Sequence, residues 1–170
     1  LTGASPEVLA EKSTQMIKGL FETHLFVEDL ERSIGFYGNT LGLNPCYYEE
    51  ERRAAFFWIG AEKQSMPGLW EKPKDQIEIS HFAFECEPEC ILKESVAYLK
   101  ARNLKCRNFL RDGSERPMVF VWIPGISIYF DDPDGHSLEF IGILAGKSNP
   151  EVGKAVVSYE EWLELQESEN

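Results

Sequence analysis

The stretches "FETHLFVED" (21–29) and "EISHFAFEC" (78–86) lie over one another with His24 and His81 at the same position. An internal repeat restricts a fold more than any single element does. Each copy is one supersecondary unit, which buries its apolar face only by packing against its neighbour. The repeat extends beyond these strands. After the first, "EDLERSIGFYGNTLG" (28–42) spaces Leu30, Ile34, Tyr37 and Leu41 at helical intervals, with Asp29 as N-cap and Gly42 as the stop. Three strand candidates follow, "PCYYEE", "RAAFFWIG" and "SMPGLWE". After the second, "EPECILKESVAYLKARN" (87–103) puts Leu92, Val96 and Leu99 on one helical face, and "KCRNFL", "ISIYFD" and "HSLEFIGI" read as strands. The apolar run "PMVFVWIPG" (117–125) lengthens this copy as an added strand or an edge-pairing loop.

The expected fold is therefore α+β, two β-α-β-β-β modules (19–75 and 76–145) whose sheets curl around a central site. Residues 1–18 form an N-terminal helical extension, with Pro6 near the helix start and Gly19 after its end. Residues 146–170 form a C-terminal one, where Ser158 and Glu161 make a capping-box pattern before Trp162 and Leu165.

Alternation along the strands selects the candidate chemistry. Leu25 and Val27 share one face of the first strand, and His24 shares the other with Glu22 and Phe26. In the second copy His81 lies opposite Phe82 and Phe84. A module's helix covers the more apolar face, so both histidines point to the uncovered side. In the strand 136–143, Leu138 and Phe140 take the helix side and leave Glu139 with the histidines. A lone strand histidine is usually a satisfied core group. Two at repeat-matched positions, with a carboxylate that needs a compensating partner, point instead to a divalent metal. Iron, manganese, nickel and zinc all accept such ligands.

Composition narrows the partners. An apolar fraction of 43% with 27% charged residues is that of a folded globular chain. The net charge of −12 argues against nucleic acid, whose phosphates need clustered Lys and Arg. No apolar run approaches the roughly 20 residues of a membrane span, and no signal peptide is read at the start, so a cytoplasmic protein is expected. Cys46, Cys86, Cys90 and Cys106 contain no CxxC pair and read as free thiols.

The motifs "THLFVEDLERSIGFYGNTLGL", "ISHFAFE" and "YFDDPDGHSLEF", in a paired β-α-β-β-β layout, resemble the vicinal-oxygen-chelate superfamily over about residues 19–145. That superfamily includes glyoxalase I, extradiol dioxygenases, fosfomycin-resistance proteins and bleomycin-binding proteins. The resemblance implies a metal held by His24, His81 and Glu139, acting as a Lewis acid on neighbouring oxygens of a small substrate. It also implies a homodimer.

Within the superfamily the residues discriminate. Glyoxalase I members usually add a glutamate ligand on the last strand of the first module; the spacing places Gly68 there. Glu71 becomes a fourth ligand only if a bulge at Pro67-Gly68 changes the strand parity. Extradiol enzymes use a further histidine, and His136, the one remaining, reads as a turn residue closing onto Asp132 or Asp134. Fosfomycin-modifying members need cations for the phosphonate, and no arginine follows Glu139 in "FIGILAGK". Trp70, Tyr129 and Phe26 are candidate pocket walls, with the Tyr129 hydroxyl a donor to a substrate oxygen, while Arg52 and Arg53 read as a solvated edge pair. The expectation is a glyoxalase-like metalloenzyme of lyase, isomerase or thiol-transfer type acting on a small molecule. The alternative is a metal-free binder of the bleomycin-resistance type.

Overall fold

The computed structural model describes residues 16–149 and 155–168. Most of the N-terminal helix expected over 6–18 lies outside them. The first module runs β1 (Glu22–Val27), α1 (Leu30–Ile34), β2 (Asn44–Glu49), β3 (Ala54–Trp58) and β4 (Met66–Glu71), forming a sheet of order β1-β4-β3-β2. The second contains β5 (His81–Glu85), α2 (Pro88–Lys93), α3 (Ser95–Lys100), β6 (Cys106–Arg107), β7 (Met118–Phe120), β8 (Gly125–Asp131) and β9 (Ser137–Ile143). Its sheet has the order β10-β7-β8-β9-β5, where β10 is Val156–Val157. In each module the first and last strands pair in parallel, β1 with β4 and β5 with β9. These are two mixed sheets, and neither closes on itself.

Local chemistry accounts for the elements. Asp29 caps α1 by accepting from the Arg32 N–H at 3.0 Å, and Gly42 ends the segment at φ +77°. Between them the helix widens over Gly35–Thr40 into i to i+5 bonding, with Leu41 N–H reaching Phe36 O at 2.9 Å. The single helix expected over 87–103 is broken at Glu94 (φ −123°). The Ser95 hydroxyl takes the Ile91 carbonyl, which the helical backbone would otherwise use. The second copy's middle strand is also divided. β6 pairs with Tyr129 and Phe130, and β7 pairs with residues 125–127 along the same edge of β8. The loop 108–117 is inserted between them. At the C-terminus the capping box forms, with Ser158 N–H to Glu161 at 2.9 Å and Glu161 N–H to the Ser158 hydroxyl at 3.1 Å. It starts α4 (Tyr159–Ser168), which buries Trp162.

One core joins the modules. Leu25, Val27, Tyr37, Phe57 and Leu69 of the first pack with Ile91, Leu99, Ile128, Phe130 and Leu138 of the second, and Trp162 completes the cluster. The helix-bearing sides of both sheets therefore meet in one interior, and their other faces turn away from it.

The turn 131–136 clasps the two halves. Asp132 accepts from the N–H groups of His136 (2.8 Å) and Asp134 (3.0 Å) and from the Tyr37 hydroxyl of the first module (3.0 Å). Asp134 accepts from Glu28 N–H (3.0 Å) and the Arg32 guanidinium (2.7 Å). Gly135, at φ +89°, supplies the left-handed residue that the reversal requires. His136 is fully buried. Its Nδ1 faces the Ser80 N–H at 3.0 Å and accepts from it, so Nε2 carries the proton donated to Phe26 O at 2.7 Å. His136 is a structural residue, as its place in the turn predicts. Its ring, however, reaches across to β1 instead of folding back onto the aspartates.

Candidate metal centre

His81 opens β5, and Glu139 lies in the middle of β9 with Ala83 as its cross-strand partner. Alternation places Leu138, fully buried, on the core side and sends Glu139 to the other face. There Glu139 Oε2 stands 3.2 Å from His81 Nε2, while Glu139 Oε1 is buried with no hydrogen-bond partner. The imidazole is held from behind, its Nδ1 lying 2.8 Å from the Ser137 carbonyl. A carbonyl oxygen only accepts, so Nδ1 carries a proton, and a neutral ring would present its lone pair at Nε2. Nε2 and the carboxylate oxygen thus face each other across 3.2 Å. That arrangement requires an electrophile, either a proton or a metal ion. A backbone carbonyl fixing Nδ1–H is also how proteins orient a metal-binding histidine. Two ligands bound at about 2.1 Å at right angles would lie about 3.0 Å apart, close to the observed separation. The donor set fits a divalent ion.

Tyr129 pairs with Glu139 across β8 and β9, and its ring lies 5.8 Å from that of His81. Burial, and then the nearby Glu139 carboxylate, hold its phenol far above the ordinary tyrosine value. The hydroxyl stays protonated and remains a donor.

His24 stands elsewhere. It lies on the outer face of the first sheet, 44% exposed, 3.7 Å from Glu22 and within ring contact of Phe56 (6.1 Å) and Trp70 (5.6 Å). Among the described residues no group of three or more His, Cys, Asp or Glu side chains could hold a metal. The structure therefore brings His81 and Glu139 together and leaves His24 on the other sheet.

The fourth-ligand position changes with the register. Phe26 pairs with Trp70 in the first module as Ala83 pairs with Glu139 in the second. The repeat-equivalent of Glu139 is thus Trp70, not Gly68 as the spacing suggests. Gly68 lies directly beside His24, and a Cβ there would come within 2.8 Å of the His24 ring and 2.7 Å of Phe56. The β1–β4 register runs unbroken through Pro67 and Gly68, so no bulge changes the parity. Glu71 consequently points to the helix side. It accepts from Leu30 N–H at 2.9 Å and takes a two-pronged bond from Arg53 at 3.0 and 2.9 Å. The Arg53 guanidinium, and then the Leu30 amide, hold its carboxyl below the ordinary range. Arg53 is accordingly engaged by Glu71 and Glu31, while Arg52, its side chain 65% exposed, lies 5.4 Å over the Trp70 ring. Trp70 Nε1 is buried without a partner. Phe26 is 42% exposed, with Lys72 5.8 Å over its ring.

Sequence reasoning missed the loop after β6. Arg107, Asn108, Phe109 and Arg111 line a cavity of about 260 Å³ with His81, Tyr129 and Ser137. The available signal was two arginines four residues apart, beginning at the end of a short strand.

The chain belongs to the glyoxalase/bleomycin resistance protein/dioxygenase superfamily, whose family model matches residues 19–140. Three solved structures illustrate its surroundings. An integron cassette protein from the mobile metagenome of the Halifax Harbour sewage outfall is 31% identical, with a TM-score of 0.63 over 75% of this chain and 100% of that one. A fosfomycin resistance protein, FosX from Listeria monocytogenes, complexed with Mn(II) and sulfate, is 28% identical, with a TM-score of 0.55 over 76% and 94% of the two chains. Lactoylglutathione lyase from Agrobacterium tumefaciens shares the fold at 19% identity, with a TM-score of 0.57 over 74% and 94%. No described helix is long and apolar enough to cross a membrane.

Proposed function

We propose that this chain is a metal-dependent enzyme acting on a small oxygenated substrate, and that its metal site is completed by a second copy of the chain. The observation that carries this reading is His81 Nε2 standing 3.2 Å from the otherwise buried Glu139 carboxylate, with Nδ1 committed to the Ser137 carbonyl. His81 and Glu139 of one copy would hold the ion together with His24 of the other. His24 is repeat-matched to His81, yet it sits on a separate outer face, where Phe26 and Tyr47 also stand exposed. Homodimerisation would cover those rings and bring the missing imidazole to the His81–Glu139 pair. A divalent ion bound there would supply Lewis acidity toward vicinal oxygens of the substrate. The chain's own groups would then divide the remaining work. Ser137 fixes the His81 ring, Tyr129 keeps its proton and donates to a substrate oxygen, and the orphaned Trp70 N–H beside His24 offers a second donor. The Mn(II) in the structure of the related FosX is consistent with this reading.

Elemental analysis and sedimentation of the purified protein test it together. About one divalent ion per chain is expected in the dimer, and none in His81→Ala or Glu139→Ala. Full metal content in both variants would refute the site. The net charge of −12 favours a second reading, a metal-free binder of a cationic small molecule. Saturable binding of such a compound, unchanged in Glu139→Ala, would support it instead.

A further inference from the structure

We propose that the cavity between β6, the loop that follows it and His81 is an oxyanion subsite, which makes the substrate a carboxylate- or phosphoryl-bearing compound. The inference rests on the metal reading only in placing that anionic group beside the reacting oxygens. The cavity itself stands on its own geometry.

In a chain of net charge −12, two arginines, Arg107 and Arg111, line one small cavity beside a candidate metal ligand. Arg107 is fixed in place: its Nη2 donates to Ser137 Oγ at 2.9 Å and lies 2.8 Å from Asp131 Oδ1, and its guanidinium stands 5.9 Å from the centre of the Tyr129 ring. All of this anchoring uses one nitrogen, so Nε and Nη1 retain their donors. A planar fork with its orientation already set is suited to two-pronged binding of a carboxylate or phosphoryl group. Asp131 offsets the charge of Arg107, which makes Arg111 the second cation needed.

Arg111 has no ion-pair partner among the described residues, and its backbone is held at φ +51°. The loop that positions it is built from within. Asn108, almost fully buried, donates through Nδ2 to Asp112 at 2.7 Å and to Ser114 Oγ at 2.8 Å. Ser114 N–H also reaches Asp112 at 2.8 Å. These bonds keep the Asp112 carboxyl below its ordinary range and engaged within the loop. Phe109 closes the outer side, its ring 5.1 Å from Phe120 and 6.3 Å from Tyr129.

The test uses the full chain and two probes, methylphosphonate and acetate, titrated at constant ionic strength. The readout is the NMR shift of the Arg107 Nε–H and the Arg111 amide. Saturable shifts with at least one probe are expected, and the probe that binds more tightly identifies the type of anion. Arg111→Ala should weaken binding by about tenfold, as loss of a charge-assisted pair does. Lys74→Ala, the same change in net charge at a distant exposed site, should leave it unchanged. No saturable shift with either probe, or equal effects of the two variants, would overturn the proposal. Calorimetric metal titration of the same samples keeps the two readings apart. Glu139→Gln should lose metal and keep the anion affinity, and Arg111→Ala should keep metal and weaken the anion affinity about tenfold.

Discussion

Replacing His136 with alanine tests how the two modules are joined. The imidazole is fully buried and spans them, accepting from Ser80 N–H at 3.0 Å and donating to Phe26 O at 2.7 Å. Its removal leaves an amide and a carbonyl without partners, each costing about 1–3 kcal/mol, and opens a void the size of the ring. Together these predict a loss of about 3–5 kcal/mol, a large fraction of the roughly 5–15 kcal/mol of a typical domain. Urea unfolding followed by circular dichroism measures it, with the midpoint falling and the slope retained. The turn's other contacts, from Asp132 to Tyr37 and from Asp134 to Glu28 and Arg32, remain in the variant, so it should still fold. A loss below about 1 kcal/mol would refute the view that this histidine is a principal link between the halves.

Three further outcomes follow from named contacts. Glu71→Gln should cost about 1 kcal/mol at neutral pH without changing metal content. Because the folded-state carboxyl lies below its ordinary value, that difference is present above the unfolded value and disappears as pH falls through the folded one; urea midpoints across pH measure it. Gly68→Ala should cost about 1–3 kcal/mol and weaken metal binding, since the new Cβ displaces the Phe56 and His24 rings; calorimetric metal titration reads the second effect. Burial pushes the Cys86 thiol up to about 11, so iodoacetamide should modify exposed Cys90 well before Cys86, as peptide mass mapping would show.

Period-two alternation and the repeat made much of this fold legible. They place Leu25, Val27 and Leu138 in the core and send His24, His81 and Glu139 to the uncovered faces, because strand parity is a local property. They carry no information about which uncovered faces meet. A histidine facing outward from the first sheet reads the same whether its partners lie in its own chain or in another. The Trp70 equivalence was hidden for a related reason: it depends on how β1 pairs with β4, and hairpin-free parallel pairing leaves no turn signal to fix the register. The division of β6 from β7 and the break at Glu94 come from side-chain hydrogen bonds, by Asn108 within its loop and by Ser95 to Ile91. Residue type alone does not specify those partners. The clasp was half visible: Asp132, Pro133, Asp134 and Gly135 announce a turn, but the reach of His136 to Phe26 spans 110 residues.

The central claim is a metal site shared between two copies, and mixing two inactive variants tests it most directly. His24→Ala and Glu139→Ala homodimers should each bind no divalent ion. In a mixed dimer, intact His24 from the Glu139→Ala copy meets intact His81 and Glu139 from the His24→Ala copy. Calorimetric titration after denaturing, mixing and refolding the two should recover one site per mixed dimer. If metal binding stays absent in the mixture although mixed dimers form, the ligands belong to a single chain and the account is contradicted.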